Sequence, residues 1–317
     1  MTATPTILVL RGGPDPERAI SLESGAAVAE ALRRVAEGRV LDRIVDAEPL
    51  PEILAEVEDP VDVVFPVLHG RWGEGGTLQA QLETAHLPFV GSGAEAARIA
   101  IDKWLTKQTI QDDPRIMTPE GQCFDPRLVC PLAPPVVLKP RDGGSSVDVH
   151  CCRTDSELEE ACRVLARDYD EVLAERLIVG REVTVSLLHG HTLPLVEIVP
   201  GAAFYDFEAK YRRTDTAYLV DPELPASVTR QCREAAEAVF DRLGCRHLAR
   251  VDFIVPDVGP PMLLEANTMP GFTASSLLPR AAASAGIPFD ALCRMLVECA
   301  RADGAILAAP TGGESEP

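Results

Sequence analysis

Lysine is nearly missing from this 317-residue chain, which has four, Lys103, Lys107, Lys139 and Lys210, against twenty-six arginines. Acidic residues outnumber basic ones 49 to 30, for a formal charge of −19 at pH 7. That balance repels phosphate backbones and anionic lipid, so general nucleic-acid and membrane-surface roles are excluded, and any bound phosphate must be held by local charge. No stretch approaches about 18 uninterrupted apolar residues, and the N-terminal 13 residues lack a basic segment before their short apolar run; no membrane span or export signal is expected. The nine cysteines show no C-x-x-C pair and no Cys/His metal spacing, which argues against a zinc module and predicts free thiols in a reducing compartment, the cytoplasm. Gly12-Gly13-Pro14-Asp15-Pro16 replaces the G-x-G-x-x-G of a dinucleotide site, and the Walker pattern is missing too.

What is present describes an ordinary folded chain, with 46% hydrophobic and 25% charged residues and a length that suits roughly two or three domains. Short β-branched runs at 7–10, 40–45, 61–68 and 88–90 alternate with helical patterns at 21–35, 50–57 and 77–87, which predicts a parallel, doubly wound sheet. A second unit follows: a helix over 94–110, strands at 136–139 and 147–151 around a Gly-rich turn, and a helix over 157–166 opened by the capping box Thr154/Glu157. The last part reads as a strand at 172–177, a hairpin of 182–188 with 192–199, a long polar loop over 200–223, a helix over 227–243 ended by Gly244, and strands at 247–255 and 262–268. The boundaries expected are residues 1–92, 93–172 and 173–309, with a disordered tail over 310–317.

Chemistry concentrates in that final strand pair. Period-two alternation puts Arg250 and Asp252 on one face of the first strand, and Glu265 and Asn267 on one face of the second. Three oxygen-bearing side chains on one face suit a hard cation, Mg²⁺ above all, although a solvated outer face with a surface ion pair gives the same pattern. Lys139-Pro140-Arg141-Asp142-Gly143-Gly144-Ser145-Ser146 can fold its backbone over an anion or serve as a plain hairpin turn. His69, opening a Gly-rich segment after an apolar strand, lies where open α/β sheets bind ligands. Residues 205–211 mix aromatics and charges as an active-site lid does, and a structural Ω-loop reads the same way.

Together these pieces resemble the D-alanine–D-alanine ligases of the ATP-grasp superfamily. The motifs that carry the likeness run in order: Pro16-Glu17-Arg18 through Ser21, His69-Gly70, Asp102-Lys103, Leu138-Lys139-Pro140 with Gly144-Ser145-Ser146, Glu175 with Glu182, Tyr205 to Tyr211, Arg250-Val251-Asp252, Leu263 to Thr268, and Pro270-Gly271-Phe272-Thr273. The resemblance implies a three-domain α/β architecture, an N-terminal doubly wound parallel sheet followed by two α+β units that enclose ATP. It implies that ATP phosphorylates the carboxylate of one D-alanine and that the amine of a second attacks the acyl phosphate, for the peptidoglycan precursor.

By the same resemblance, Asp252, Glu265 and Asn267 hold Mg²⁺, with Mn²⁺ able to replace it. Lys103, Lys139 and Lys210 face the nucleotide phosphates, and Glu175, Ile178 and Glu182 face the adenosine. Glu17 takes the first substrate's ammonium and joins Ser145 and Tyr211 in a trio that closes the lid. Arg250 and the Gly271 N–H stabilise the tetrahedral oxyanion, Ser276 and Leu277 take the second substrate's carboxylate, and His69 lies beside the first substrate. A homodimer is implied as well. The chain departs from the family pattern at Asp148, where Gly is usual and a carboxylate is brought towards anionic ligands, at Gly75 and Ala19, and in the short stretch between Lys103 and Lys139. Two other readings stay open: a related ligase with another acceptor, such as a D-hydroxy acid, and a non-catalytic ATP-binding homologue.

Overall fold

The computed structural model describes residues 5–144, 147–199 and 216–308. Its first sheet is parallel, in the order β2-β1-β3, from β1 (Thr6–Gly12), β2 (Arg39–Val45) and β3 (Val63–Pro66). Alternation along β1 divides its side chains between two cores. Ile7 and Val9 pack with α1 (Arg18–Val35) and the C-terminal helix α10 (Phe289–Ala308), whereas Leu8 and Leu10 pack with α2 (Leu50–Ala55) and α4 (Thr77–Thr84). Helices on both faces of a parallel sheet are the doubly wound arrangement that the sequence predicts. A short α3 (Gly70–Glu74) follows β3, and the strand expected at 88–90 is reduced to one bridge, Val64 with Phe89.

The helix expected over 94–110 is two helices, α5 (Ala94–Ile101) and α6 (Lys103–Ile110). Asp102 breaks it by adopting an extended backbone, φ −90° and ψ 104°, from which its carboxylate accepts the N–H groups of Trp104 and Leu105 and caps α6. The same carboxylate holds Arg141 at 2.7 Å, so the break also ties α6 to the Gly-rich loop.

The second sheet is antiparallel, in the order β4-β7-β5-β6, from β4 (Gly121–Phe124), β5 (Val136–Pro140), β6 (His150–Cys152) and β7 (Val172–Arg176). Val136, Leu138, Val172 and Ala174 pack against α7 (Asp155–Leu165), which the predicted Thr154/Glu157 box caps. The intervening residues Val137, Lys139 and Glu175 face a cavity instead. The strand expected from 147 starts only at His150, because 147 and 148 form a turn with Asp148 at φ +55°. An αL position is why a glycine suits this place, and Asp is among the few residues that tolerate it.

The third sheet runs β11-β10-β8-β12-β13, with β9 paired to β8; its strands are β8 (Arg181–Leu188), β9 (His191–Thr192), β10 (Val196–Val199), β11 (Ala217–Val220), β12 (Leu248–Val255) and β13 (Met262–Asn267). Val183, Val185, Leu187, Ala249, Val251 and Phe253 bury one face under α8 (Ala226–Leu243) and α6. Strands β4 and β11 are additions to the sequence reading: both are four residues long and carry little hydrophobic pattern. Of the segment read as a long loop, 200–215 lie outside the described residues.

The segment after β13 is anchored far from its own sheet. Phe272, fully buried, sets its ring 5.7 Å from both Phe65 of β3 and Phe289 of α10, while its N–H donates to Ser24 of α1. We expect Phe272→Ala to destabilise the protein by about 3–5 kcal/mol in urea unfolding, the cost of losing a buried aromatic and leaving a cavity.

Candidate active site

Strands β12 and β13 pair Arg250 with Asn267 and Asp252 with Glu265. Directly opposed side chains share a face, so the four polar groups converge as alternation predicts. Strand β8 extends both rows, with Ser186 opposite Arg250 and Thr184 opposite Asp252, and these two hydroxyls are buried without a hydrogen-bond partner among the described residues. The register shifts between Asp252 and Phe253, a bulge that leaves Leu264 unpaired beside Glu265. The face is not solvated: Asp252 is 4% exposed and lies at the edge of a cavity of about 380 Å³.

That cavity brings together Glu17, His69, Lys103, Glu182, Arg250, Asp252, Glu265, Asn267, Gly271, Ser276 and Leu277, eleven of the seventeen residues expected at the site. A second cavity of about 140 Å³ holds Lys139, Glu175 and Ile178, and shares Lys103, Gly143, Gly144, Glu182, Asp252 and Glu265 with the first. Ser145, Lys210 and Tyr211 lie outside the described residues. The smaller chamber thus lies between the central and C-terminal sheets, and the larger one opens towards the N-terminal sheet.

Three carboxylates here have a cation. Arg250 forks onto Asp252, its Nε 2.9 Å from Oδ1 and its Nη2 2.7 Å from Oδ2. Lys103, the first residue of α6, reaches Glu265 at 3.2 Å and donates to the Gly143 carbonyl at 2.6 Å. A lysine at the positive end of a helix is poorly placed for the helix itself, which points to a role in the site. Glu175 is buried between Lys139 at 2.5 Å and Lys107 at 2.7 Å. Burial works to raise its pKa, yet the two ammonium groups outweigh burial and hold the carboxyl below its usual range. Two opposed carboxylates, a neighbouring amide and a cavity match the oxygen donors Mg²⁺ prefers. No cluster of three His, Cys, Asp or Glu side chains suited to a metal occurs among the described residues.

The far wall comes from the N-terminal sheet and the segment after β13. His69 lies 3.1 Å from the Met269 carbonyl through Nδ1, which must therefore carry the proton and leave Nε2 a bare lone pair, buried and unpartnered among the described residues. Burial, chiefly, pushes its pKa down to about 4, and Arg250 works in the same direction. Asn267 accepts the N–H of Met269, so the segment is tied to β13 at one end and to His69 in its middle. Ser276, the residue before α9 (Leu277–Ser284), accepts the Thr273 N–H at 3.1 Å. Glu17 comes so near Gly144 that a Cβ there would sit 3.0 Å from its Oε1. A side chain at 144 would require Glu17 to draw back by a few tenths of an ångström.

The departures from the family pattern settle into place. Asp148 lines neither cavity and accepts the Tyr169 hydroxyl at 2.7 Å. A Cβ on Gly75 would meet the Arg71 carbonyl at 2.2 Å, and Ala19 is exposed on the first turn of α1. Two members of the site escaped the sequence reading. The sequence motifs give Lys107 no role, although its i, i+4 spacing from Lys103 is a signal. They give none to Glu74 either, yet it lines the larger cavity and accepts the Gly70 N–H at 2.9 Å. Burial, with Glu17 and Glu265 adding repulsion, pushes its carboxyl up to about 8.

A carboxyl raised in the folded state costs stability as pH rises, because the unfolded chain gives up its proton first. We therefore expect Glu74→Gln, which can keep the Gly70 hydrogen bond, to match the wild-type melting temperature near pH 4.5 and to exceed it increasingly up to about pH 8. Parallel melting curves across that range would show the carboxyl to be ordinary.

The comparisons with known proteins agree with this geometry. Residues 119–298 match the family model described as D-ala D-ala ligase C-terminus, and residues 41–92 match D-ala D-ala ligase N-terminus. The D-alanine–D-alanine ligase of Anaeromyxobacter dehalogenans (strain 2CP-C) is 41% identical over 311 residues, 96% of this chain and 97% of the relative. That of Geobacter sulfurreducens is 40% identical over 297 residues, 91% and 92% of the two chains. The crystal structure of the Bacillus anthracis D-alanine–D-alanine ligase complexed with ATP superposes with a TM-score of 0.83 at 30% identity, over 96% of this chain and all of that one. The chain belongs to the D-alanine–D-alanine ligase family, and its architecture is the ATP-grasp fold of that family.

Proposed function

We propose that this protein is an ATP-dependent ligase that joins two D-alanine molecules into D-alanyl-D-alanine, releasing ADP and phosphate, for the peptidoglycan precursor. The observation that supports this best is the meeting of two chambers at one charged seam, Lys103, Gly143, Asp252 and Glu265. A nucleotide in the smaller chamber then presents its phosphates to a substrate in the larger.

In this reading Glu175, Ile178 and Glu182 contact the adenosine, while Lys103, Lys139 and Lys210 bind the phosphates. Asp252, Glu265 and Asn267 would hold Mg²⁺, which supplies positive charge against the phosphate oxygens when bound. Glu17 binds the ammonium of the first D-alanine and, with Ser145 and Tyr211, closes the lid; His69 lies beside that substrate. Acyl transfer needs a carboxyl oxygen to become an oxyanion, and fixed donors lower that barrier because they need no reorientation. Arg250 and the Gly271 N–H fill this role, the latter held by the Phe272 anchor. Ser276 and Leu277, at the start of α9, take the second substrate's carboxylate and so aim its amine.

The three units extend over residues 1–92, 93–172 and 173–309. The protein works in the cytoplasm as a homodimer, a location that suits nine unpaired cysteines. Among the described residues no helix is long and apolar enough to cross a membrane.

Phosphate release from ATP and Mg²⁺ should depend on D-alanine and yield a D-alanyl-D-alanine mass; L-alanine should give none. Release only with D-lactate and D-alanine together would transfer the protein to the depsipeptide-forming relatives. Arg250→Ala should lower turnover about 10²–10³-fold, the scale of losing one oxyanion donor, with ATP binding largely kept. Equal loss of both would remove the role assigned to Arg250. Asp148→Gly should leave ATP affinity unchanged, since its carboxylate is turned to Tyr169; a marked weakening would place that acid in the site.

A further inference from the structure

Lys103 and Lys107 lie four residues apart on α6, a like-charge spacing that weakens a helix. Lys103 is buried and Lys107 half-buried, and each reaches a carboxylate of a different sheet: Lys103 goes to Glu265 on β13, Lys107 to Glu175 on β7. Unlike Lys103, Lys107 lines neither cavity. Its ammonium sits 2.5 Å from the Pro119 carbonyl and 2.7 Å from Glu175 Oε1, while Lys139 takes the other oxygen, Oε2, at 2.5 Å. Glu175 and Lys139 do line the smaller cavity.

The charges of this group can be counted. Two ammonium groups and one carboxylate leave one positive charge. Without Lys107, the carboxylate would cancel Lys139, and the buried pair would present no net charge to a nucleotide. Burial works against the charge on Lys107, and Glu175 restores it in part, so the acid and the hidden lysine keep each other ionised.

We propose that Lys107 is a positioning residue for the nucleotide phosphates: it neutralises Glu175 from behind and so leaves the charge of Lys139 uncompensated towards the cavity. This inference rests on the nucleotide site proposed above. It assigns a task to the one lysine that the family pattern leaves unassigned.

The test compares affinity for adenosine with affinity for ATP, both with Mg²⁺, by calorimetry on the full-length protein. Their ratio isolates what the phosphates contribute. In Lys107→Met the ratio should fall about ten-fold, the scale of one unit charge acting on a polyanion in partly screened surroundings. The KM for ATP should rise more than kcat falls. Lys107→Arg should keep the ratio. The double variant Lys107→Met/Glu175→Gln, which removes one charge of each sign, should recover it even though Glu175→Gln weakens adenosine itself. Glu175→Gln alone should favour the phosphates more than the double does, a comparison that stands even if Lys107→Met folds poorly.

A parallel loss of adenosine and ATP affinity in Lys107→Met, or a double variant no better than the single, would make Lys107 a structural brace and overturn the proposal. A wild-type protein that takes up no ATP would instead fail the nucleotide site itself, before any variant is compared.

Discussion

Antiparallel pairing of β12 with β13 places two carboxylates, Asp252 and Glu265, directly opposite each other on a face that solvent barely reaches. Opposed like charges destabilise a sheet; at about 5 Å and an effective dielectric near 20 the repulsion is about 3 kcal/mol. Register cannot relieve it, because a one-residue slip would turn Val251 and Phe253 out of the core. The surroundings answer the repulsion with cations. Arg250 forks onto Asp252 from its own strand, and Lys103 reaches Glu265 from α6. The break at Asp102 follows from the same need: an uninterrupted helix would not start at Lys103 or direct it to the seam.

A second set of contacts carries the N-terminal sheet to this seam. Phe272 plugs into the core between β3 and α10, His69 holds the Met269 carbonyl, and Asn267 holds the Met269 N–H. Side chains from the first sheet thereby face those of the third at fixed distance, with no covalent link near the site. Buried aromatic packing fixes where the segment lies, and hydrogen bonds of modest net worth fix how it turns. The bare Nε2 of His69 is a product of this docking, since Met269 dictates the tautomer.

Sequence legibility followed the range of the forces involved. The faces of β12 and β13 were legible because alternation is a local property, and the doubly wound sheet because helix and strand periods alternate over 80 residues. The break at Asp102 was missed, since the apolar spacing on either side continues without interruption and only the cap reveals it. Strands β4 and β11 owe their existence to neighbours, Leu173 and Ile198 among them, rather than to their own pattern. The two missed members of the site, Lys107 and Glu74, take their character from burial, which no window of sequence reports. Asp148 is the reverse case: its charge suggests interference with anions, whereas its carboxylate accepts the Tyr169 hydroxyl, a partner 21 residues on that its own segment does not announce.

The unequal use of lysine and arginine is explained by where each cation works. Many arginines form forked pairs at or near the surface, Arg34 with Asp290, Arg98 with Glu95 and Arg181 with Glu197 among them, where a planar fork matches a carboxylate and exposure lowers the cost. The three described lysines are instead buried or half-buried around the seam, each within 3.2 Å of a carboxylate. An ammonium is a compact point charge that one carbonyl and one carboxylate can satisfy, as the Gly143 and Pro119 carbonyls do, and it leaves room for a ligand. The overall charge of −19 does not oppose an anionic nucleotide at such a site. At physiological ionic strength screening sets in within about 8 Å, so surface acids are muted while buried cations beside a low-dielectric cavity are not. A strongly acidic protein can therefore bind a polyanion with few cations, provided that burial and backbone keep them where the phosphates lie.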